Sequence, residues 1–407
     1  MMCTSFTGCC NSDINNIDVY TTYVSSEPSN LDPARGVDVN EGVIQSRIFD
    51  GLVRYNEKME LVPDLAESWT VSEDGREYIF NLRENVFFHD GQRFTSADVV
   101  FTFDRILNPK TSSPRTWVLE RILGAEDRMN GKSDFTVGLK AIDEHTVSIK
   151  LTEPFAPFMS LLTMPACYIL PSESKDKFSD PSFFEKPVGT GPFYVVDRVR
   201  DSYIYLKANK NYFLGKPKVE NFLVRIITEN LKAELEFECG SIDMVQLYAS
   251  NYDRFKAMPE YKDKIADIPA MNVHYIGFNN QAAPFDNPKL RKALNLLVDR
   301  EKIIKAIFSG RAAPAKGSIP PGISGYTEGD TGICFNPEEG MKMLEELGYN
   351  KSNPLSFDLY QKSQQSAFEV TRFFQGEMKK YGINVTIKPM EWSALKDAIN
   401  KGEAPAF

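Results

Sequence analysis

The sequence is short of the residues from which reactive centres are usually built. It has three histidines in 407 residues, His89, His145 and His274, and none has a second histidine or a cysteine at metal-ligand spacing. A zinc site is therefore not expected, and each histidine reads as structural. Six cysteines include no C-x-x-C pair and are too sparse for a disulfide scaffold, so Cys167, Cys239 and Cys334 are expected as buried free thiols. There is no G-x-S-x-G elbow, no G-x-x-x-x-G-K-[ST] loop and no G-x-G-x-x-G fingerprint. Gly189-Thr190-Gly191-Pro192 superficially resembles a phosphate loop, but Pro192 lacks a backbone donor and a strand pattern follows instead of a helix. Positive charge is scarce as well: 47 Lys+Arg against 56 Asp+Glu leave a net charge of −9. That balance removes a chain-wide basic field for nucleic acid. No apolar run reaches the roughly 18 residues of a membrane-spanning helix.

What is present is ordinary globular material with a surplus of rings. Hydrophobic residues make up 42% and charged residues 25%, which excludes wholesale disorder. Length alone allows two to four domains. Twelve per cent of the chain is aromatic, with 28 Phe and 17 Tyr, enough to line a ligand pocket as well as to fill cores. At the amino end, Phe6-Thr7-Gly8-Cys9 looks like the tail of a bacterial lipoprotein signal, with Cys9 as the lipid acceptor, although no charged start or long apolar stretch precedes it. A truncated signal is the expectation.

Periodicity places the elements. Residues 18–24 are β-branched and aromatic and end in Glu27-Pro28-Ser29-Asn30, so a strand and a turn open the fold. Tyr78, Phe80 and Leu82 alternate with polar neighbours after an Asp74-Gly75 turn, which predicts a β-meander. Thr95 and Asp98 form a capping box ahead of Val99, Val100, Phe103, Ile106 and Leu107, and Asn108-Pro109 ends that helix. Further strands are expected around Val147–Leu151 and Tyr203–Lys207, with His274 inside another. Asn287-Pro288 and Asn336-Pro337 each set a cap and a first-turn proline before an apolar stripe. Strands near 355–360 and 383–388 flank a helix around 366–380, and a last helix over 391–401 calls for a strand after it. This order argues for an α/β lobe with a partly parallel sheet. Glu338/Glu339 and Glu345/Glu346 read as solvated helix faces, and nothing selects an acid–base dyad. The residues alone describe a multi-lobed α/β protein that binds rather than catalyses.

A sharper reading rests on motifs that follow one another in a known order. Leu61-Val62-Pro63-Asp64-Leu65-Ala66-Glu67-Ser68-Trp69, Ser72-Glu73-Asp74-Gly75, Phe88-His89-Asp90-Gly91, Thr95-Ser96-Ala97-Asp98-Val99, Pro187-Val188-Gly189-Thr190-Gly191-Pro192-Phe193, Gly240-Ser241-Ile242-Asp243-Met244 and Leu290-Arg291-Lys292-Ala293-Leu294 closely resemble those of the extracytoplasmic solute-binding protein family 5. These are the oligopeptide-, dipeptide- and nickel-binding proteins of ABC importers, and the resemblance runs from about residue 18 to 400. It implies an α/β, periplasmic-binding-protein-like type II fold: a two-lobed clamp of three domains. Domain I would be 18–46 with 168–265, domain II 47–167 and domain III 266–407, after a 1–17 signal or linker.

The resemblance also implies the function and partners. The chain would be a non-enzymatic monomer without cofactor or metal that captures peptides outside the cytoplasmic membrane, is anchored there by lipid, and delivers them to permease and ATPase subunits. The family's closing carboxyl-terminal segment is expected to be missing here, and with it the aspartate that holds a peptide's amino terminus. Expected ligand-binding residues are Ser26, Glu27 and Pro28 after the first strand, Trp117 in a loop, and Gly189, Thr190 and Gly191 at the crossover. Gln246, Tyr248, Tyr275, Asn279 and Tyr360 complete the set, while Trp69 and Trp392 are expected in cores. The alternatives are a nickel, metal-chelate or other small-solute binder of the same family, a receptor-docking scaffold, and an enzyme on a binding-protein fold.

Overall fold

A computed structural model describes residues 18–178, 180–268, 270–323, 325–329, 334–363 and 365–407. The chain divides into two compact units, one ending at Gln246 and the other beginning at Leu247. This division falls ahead of the 265/266 boundary drawn from the family pattern.

In the first unit the chain runs through β1 (Val19–Val24), α1 (Val39–Ile48), β2 (Val53–Tyr55), β3 (Leu61–Pro63), β4 (Ala66–Val71), β5 (Glu77–Leu82) and α2 (Ser96–Leu107). Two short helices, α3 (Ala125–Met129) and α4 (Phe158–Leu161), stand on either side of β6 (Leu139–Asp143) and β7 (Thr146–Lys150). Strands β8 (Phe193–Val199), β9 (Tyr203–Ala208) and β10 (Asn221–Ile226) and helix α5 (Asn230–Glu238) complete the unit. Two four-stranded sheets result, ordered β1-β10-β9-β8 and β4-β5-β7-β6. β1 pairs with β10 in parallel, Val19 opposite Asn221 and Val24 opposite Ile226. The other sheet is antiparallel throughout.

Each sheet buries one face against a helix. Val24, Phe193, Ile204, Leu206 and Val224 form a core with Ile44 and Ile48 of α1. In the meander, the alternation read at Tyr78, Phe80 and Leu82 buries those three side chains with Phe103 and Ile106 of α2. The α2 cap is as expected: Asp98 Oδ2 accepts from the Thr95 N–H at 2.8 Å. α1 has the same device, Asp38 as N-cap with Glu41 three residues on.

The second unit contains α6 (Ala249–Ala257), α7 (Pro288–Leu296), α8 (Arg300–Ile307), α9 (Pro337–Glu346), β11 (Ser356–Lys362), α10 (Gln365–Lys380), β12 (Asn384–Met390) and α11 (Trp392–Asn400). β11 and β12 are parallel, which is the partly parallel sheet expected. Leu290, Ala293, Leu294 and Leu297 of the α7 stripe pack with Leu344, Leu359, Phe374 and Met378. After α11 residues 405–407 form no named strand, only an isolated antiparallel bridge of Ala406 with Phe278. Gly277 and Phe407 exchange backbone bonds, Asn279 N–H donates to Pro405 O, and on the other side Tyr360 N–H donates to Ala406 O at 2.8 Å. The close approach explains Gly277, where a Cβ would lie 2.6 Å from the Phe407 ring.

Two further expectations need correction. His274 lies in no regular strand, because sheet pairing among the described residues begins only at Gly277. Of the three thiols, Cys167 is buried but Cys239 and Cys334 are exposed: Cys239 caps the solvent end of α5, and Cys334 lies in the loop before α9.

Candidate functional site

The segment after β1 is held by its own chain. Glu27 Oε1 lies 2.6 Å from Nη2 of Arg198, a side chain only 3% exposed, and Glu27 Oε2 accepts the Asp201 N–H at 3.0 Å. The same guanidinium donates to the buried Pro28 carbonyl at 2.6 Å and pairs with Glu185 at 3.2 Å. A carboxylate so placed balances a buried charge. The turn is tied to α1 by Glu41, a buried side chain that accepts from the Ser29 hydroxyl and from the N–H groups of Asn30, Val37 and Asp38. Ser26 Oγ accepts from Asn40 Nδ2 at 2.6 Å and remains half-exposed at the start of α1.

Beside that helix start is an open cavity of about 390 Å³, lined by Val37, Val39, Gly42, Val43, Arg115 and Pro165 among others. Arg115 reaches back to the carbonyls of Gly36 and Val37 and begins the 3-10 turn that carries Trp117. Trp117 is 44% exposed, so its indole is available for contact. Trp69 packs against the meander core as expected.

The crossover glycines have a packing role. A Cβ on Gly189 would come within 2.1 Å of Ile48 O, and one on Gly191 within 2.4 Å of the Ile48 carbonyl carbon. Both positions press directly on the last turn of α1, whereas the family pattern had suggested backbone approach to a ligand. Thr190 is buried, and its hydroxyl donates to Asp50 Oδ2 at 2.7 Å. His89 grips the same loop: Nδ1 accepts from the Gly189 N–H at 3.2 Å, and Nε2 is 3.0 Å from Gly191 O, which fixes the proton on Nε2. Burial lowers this imidazole to about 4, against the pull of the Gly191 carbonyl and Asp90.

Gln246 is exposed at the end of the first unit. In the second unit Tyr248 is half-buried as the residue before α6, and Tyr275 is 73% exposed. Tyr360 is half-buried within β11. Asn279 is committed internally: Nδ2 donates to Gly402 O at 3.1 Å and Oδ1 accepts from the Gln281 N–H at 3.0 Å. It lines a second open cavity of about 420 Å³ with Phe278, Asn280, Gln281, Lys401 and Phe407.

Sequence reasoning missed one constellation. Trp392, expected in a core, is 37% exposed at the start of α11. Lys362 Nζ and Lys396 Nζ lie 5.6 and 5.4 Å from its ring centroid. Among the described residues neither ammonium has a carboxylate within 4.0 Å. Lys362 ends β11 and Trp392 follows β12 by one residue, so the trio stands at the carboxyl ends of the two parallel strands. Open α/β sheets bind their ligands at that edge. The available signal was a Trp just past the second strand of a parallel pair whose first strand ends in lysine, flanked by the charged Glu391 and Lys396. Cys9 lies outside the described residues.

The structure thus comprises two α/β units, a helix-capped mixed sheet in one and a parallel pair in the other, with aromatic side chains exposed on both. The chain belongs to the bacterial extracellular solute-binding proteins, family 5, which it matches over residues 60–407. It is 31% identical to the dipeptide-binding protein of Escherichia coli strain K12 over 84% of this chain and 66% of that protein. It is 28% identical to heme-binding protein A of Haemophilus influenzae over 97% of this chain and 74% of that protein. Among solved structures, the murein tripeptide binding protein MppA of Escherichia coli superposes with a TM-score of 0.83 at 26% identity, covering 95% of this chain and 78% of that one. The fold is thus the type II periplasmic-binding-protein fold expected. No helix among the described residues is long and apolar enough to cross a membrane.

Proposed function

We propose that this protein captures peptides outside the cytoplasmic membrane and delivers them to the permease and ATPase subunits of an ABC importer, acting as a monomer and without catalysis. The observation that carries the reading is the 31% identity with a dipeptide-binding protein, joined by likeness to a murein tripeptide binding protein. The chemistry of the second unit supports it. An exposed indole beside two ammonium groups that have no carboxylate partner among the described residues suits a ligand that has both apolar side chains and a carboxylate. We assign ligand contact to Ser26 and Trp117, to Gln246, and to Tyr248, Tyr275, Tyr360 and Trp392. Glu27, Pro28, Gly189, Thr190, Gly191 and Asn279 support the fold around them. We retain the division into domains I (18–46, 168–265), II (47–167) and III (266–407), and lipidation of Cys9, as part of this proposal.

A di- to tetrapeptide library screened by thermal shift tests the reading. Ligand at about 100 times Kd adds about 2.7 kcal/mol to stability, a readily seen rise in Tm. A library that moves Tm nowhere defeats the proposal. Heme is the second reading, favoured by the match to heme-binding protein A across 97% of this chain. Hemin that stabilises the protein where peptides do not would establish it.

A further inference from the structure

The crossover Gly189–Pro192, where the chain re-enters the first sheet, is gripped from two sides by side chains that titrate. On one side stands His89. On the other, Asp50 accepts hydroxyl bonds from Thr190 to Oδ2 at 2.7 Å and from Tyr212 to Oδ1 at 2.9 Å. Two hydroxyl donors suit an ionised carboxylate.

Asp64, whose carboxyl group feels the charge of Asp50, is less well hydrogen-bonded. It is 3% exposed, and its Oδ1 is buried with no hydrogen-bond partner. The nearest cation, Arg54, places Nε 3.5 Å away but is itself 48% exposed. Arg83 donates to the Asp64 main-chain carbonyl at 2.7 Å rather than to its carboxylate. An anion there is compensated only in part, by Arg54, the Gly51 N–H and the more distant Arg83, and the neutral acid costs less to bury. We propose that one proton, held on Asp64 beside ionised Asp50, locks the crossover, and that its loss to solvent in mildly alkaline solution loosens the attachment of the chain between α1 and β8.

The remaining groups around the pair do not replace that proton. Tyr168 and Tyr212 are pushed upward by burial first and by the two carboxylates second, so both stay phenolic. Arg47 faces Tyr168. Burial, and then the Asp50 charge, push Asp64 up to about 8; burial takes Asp50 to about 6, with the Thr190 and Tyr212 bonds acting against it. His89, lowered to about 4, is neutral throughout this range. Both carboxyl groups are raised above the ordinary 3.8, so the folded chain binds more protons than the unfolded chain between those limits. Their stabilisation is complete below 3.8 and is lost as pH rises through about 6 and about 8.

Hydrogen exchange of the full chain, corrected for the intrinsic pH dependence of exchange, tests the lock. In the wild type, peptides covering 48–52 and 186–193 are expected to lose protection about tenfold per pH unit as pH rises from about 6 to about 8, while β9 and β10 keep theirs. The Asp64→Asn variant is expected to show no such loss. An equal loss in the variant, or none in the wild type, overturns the proposal. Should the variant fail to fold, infrared spectroscopy of the wild type decides: a protonated carboxyl band at neutral pH that fades on alkalinisation supports the lock, and its absence refutes it.

Discussion

At Gly189 and Gly191 the limiting quantity is a single methyl group. Each Cβ would enter space already held by the Ile48 carbonyl, at 2.1 and 2.4 Å. Alanine at either position has no flexible neighbour to displace, since the obstacle is backbone. Overpacking of this kind costs about 1–3 kcal/mol, so each variant should lower the urea midpoint with an unchanged m-value. Glu27 makes a complementary case. Glu27→Ala would leave Arg198 buried with Glu185 as its one remaining counter-charge among the described residues, and breaking such a pair costs about 3–5 kcal/mol. Stability should fall by that order while ligand affinity of the remaining folded protein changes little. A large affinity loss at wild-type stability would return Glu27 to the ligand. These roles were hidden in the sequence for a physical reason: Ser26-Glu27-Pro28 and Gly189-Thr190-Gly191 show a turn and a close approach, but not which partner, chain or ligand, does the approaching.

At the scale of elements, local signals carried far. The capping box at Thr95, the Asn-Pro starts of α7 and α9, and the alternation in β5 each depend on residues within one turn or one strand. Such information survives without tertiary context. What failed was non-local: a strand pattern at His274 requires a neighbouring chain, and exposure of Trp392 depends on where α11 sits over β11 and β12. Glu41 shows how much one element start can concentrate. Its carboxylate serves four donors from residues 29–38. Glu41→Ala should therefore open that stretch selectively, seen as lost amide protection at Asn30, Val37 and Asp38 ahead of global unfolding. The expected cost is about 3 kcal/mol, since several buried donors lose their acceptor together.

For the whole molecule, the surplus of rings noted in the composition divides into two populations. Phe80, Phe103, Phe285 and Phe374 fill cores, while Trp117, Tyr275 and Trp392 remain exposed. The exposed group, with the half-buried Tyr248 and Tyr360, is the one placed to report on a ligand. Trp392→Ala should weaken binding of a stabilising peptide about 5- to 30-fold, or about 1–2 kcal/mol, with stability within about 0.5 kcal/mol of wild type. Equal affinities measured by calorimetry would remove the Lys362–Trp392–Lys396 corner from the ligand site.

The parallel pairing of β1 with β10 sets a timetable as well as a shape. Val24 cannot meet Ile226 until the intervening chain has been made. At about 5–20 residues per second, ribosomal synthesis leaves β1 without its sheet for about 10–40 s. Throughout that interval an apolar, β-branched strand is an unpaired edge, open to off-pathway pairing. Nascent chains released before β10 should accordingly need a holding chaperone, and those released after it should not.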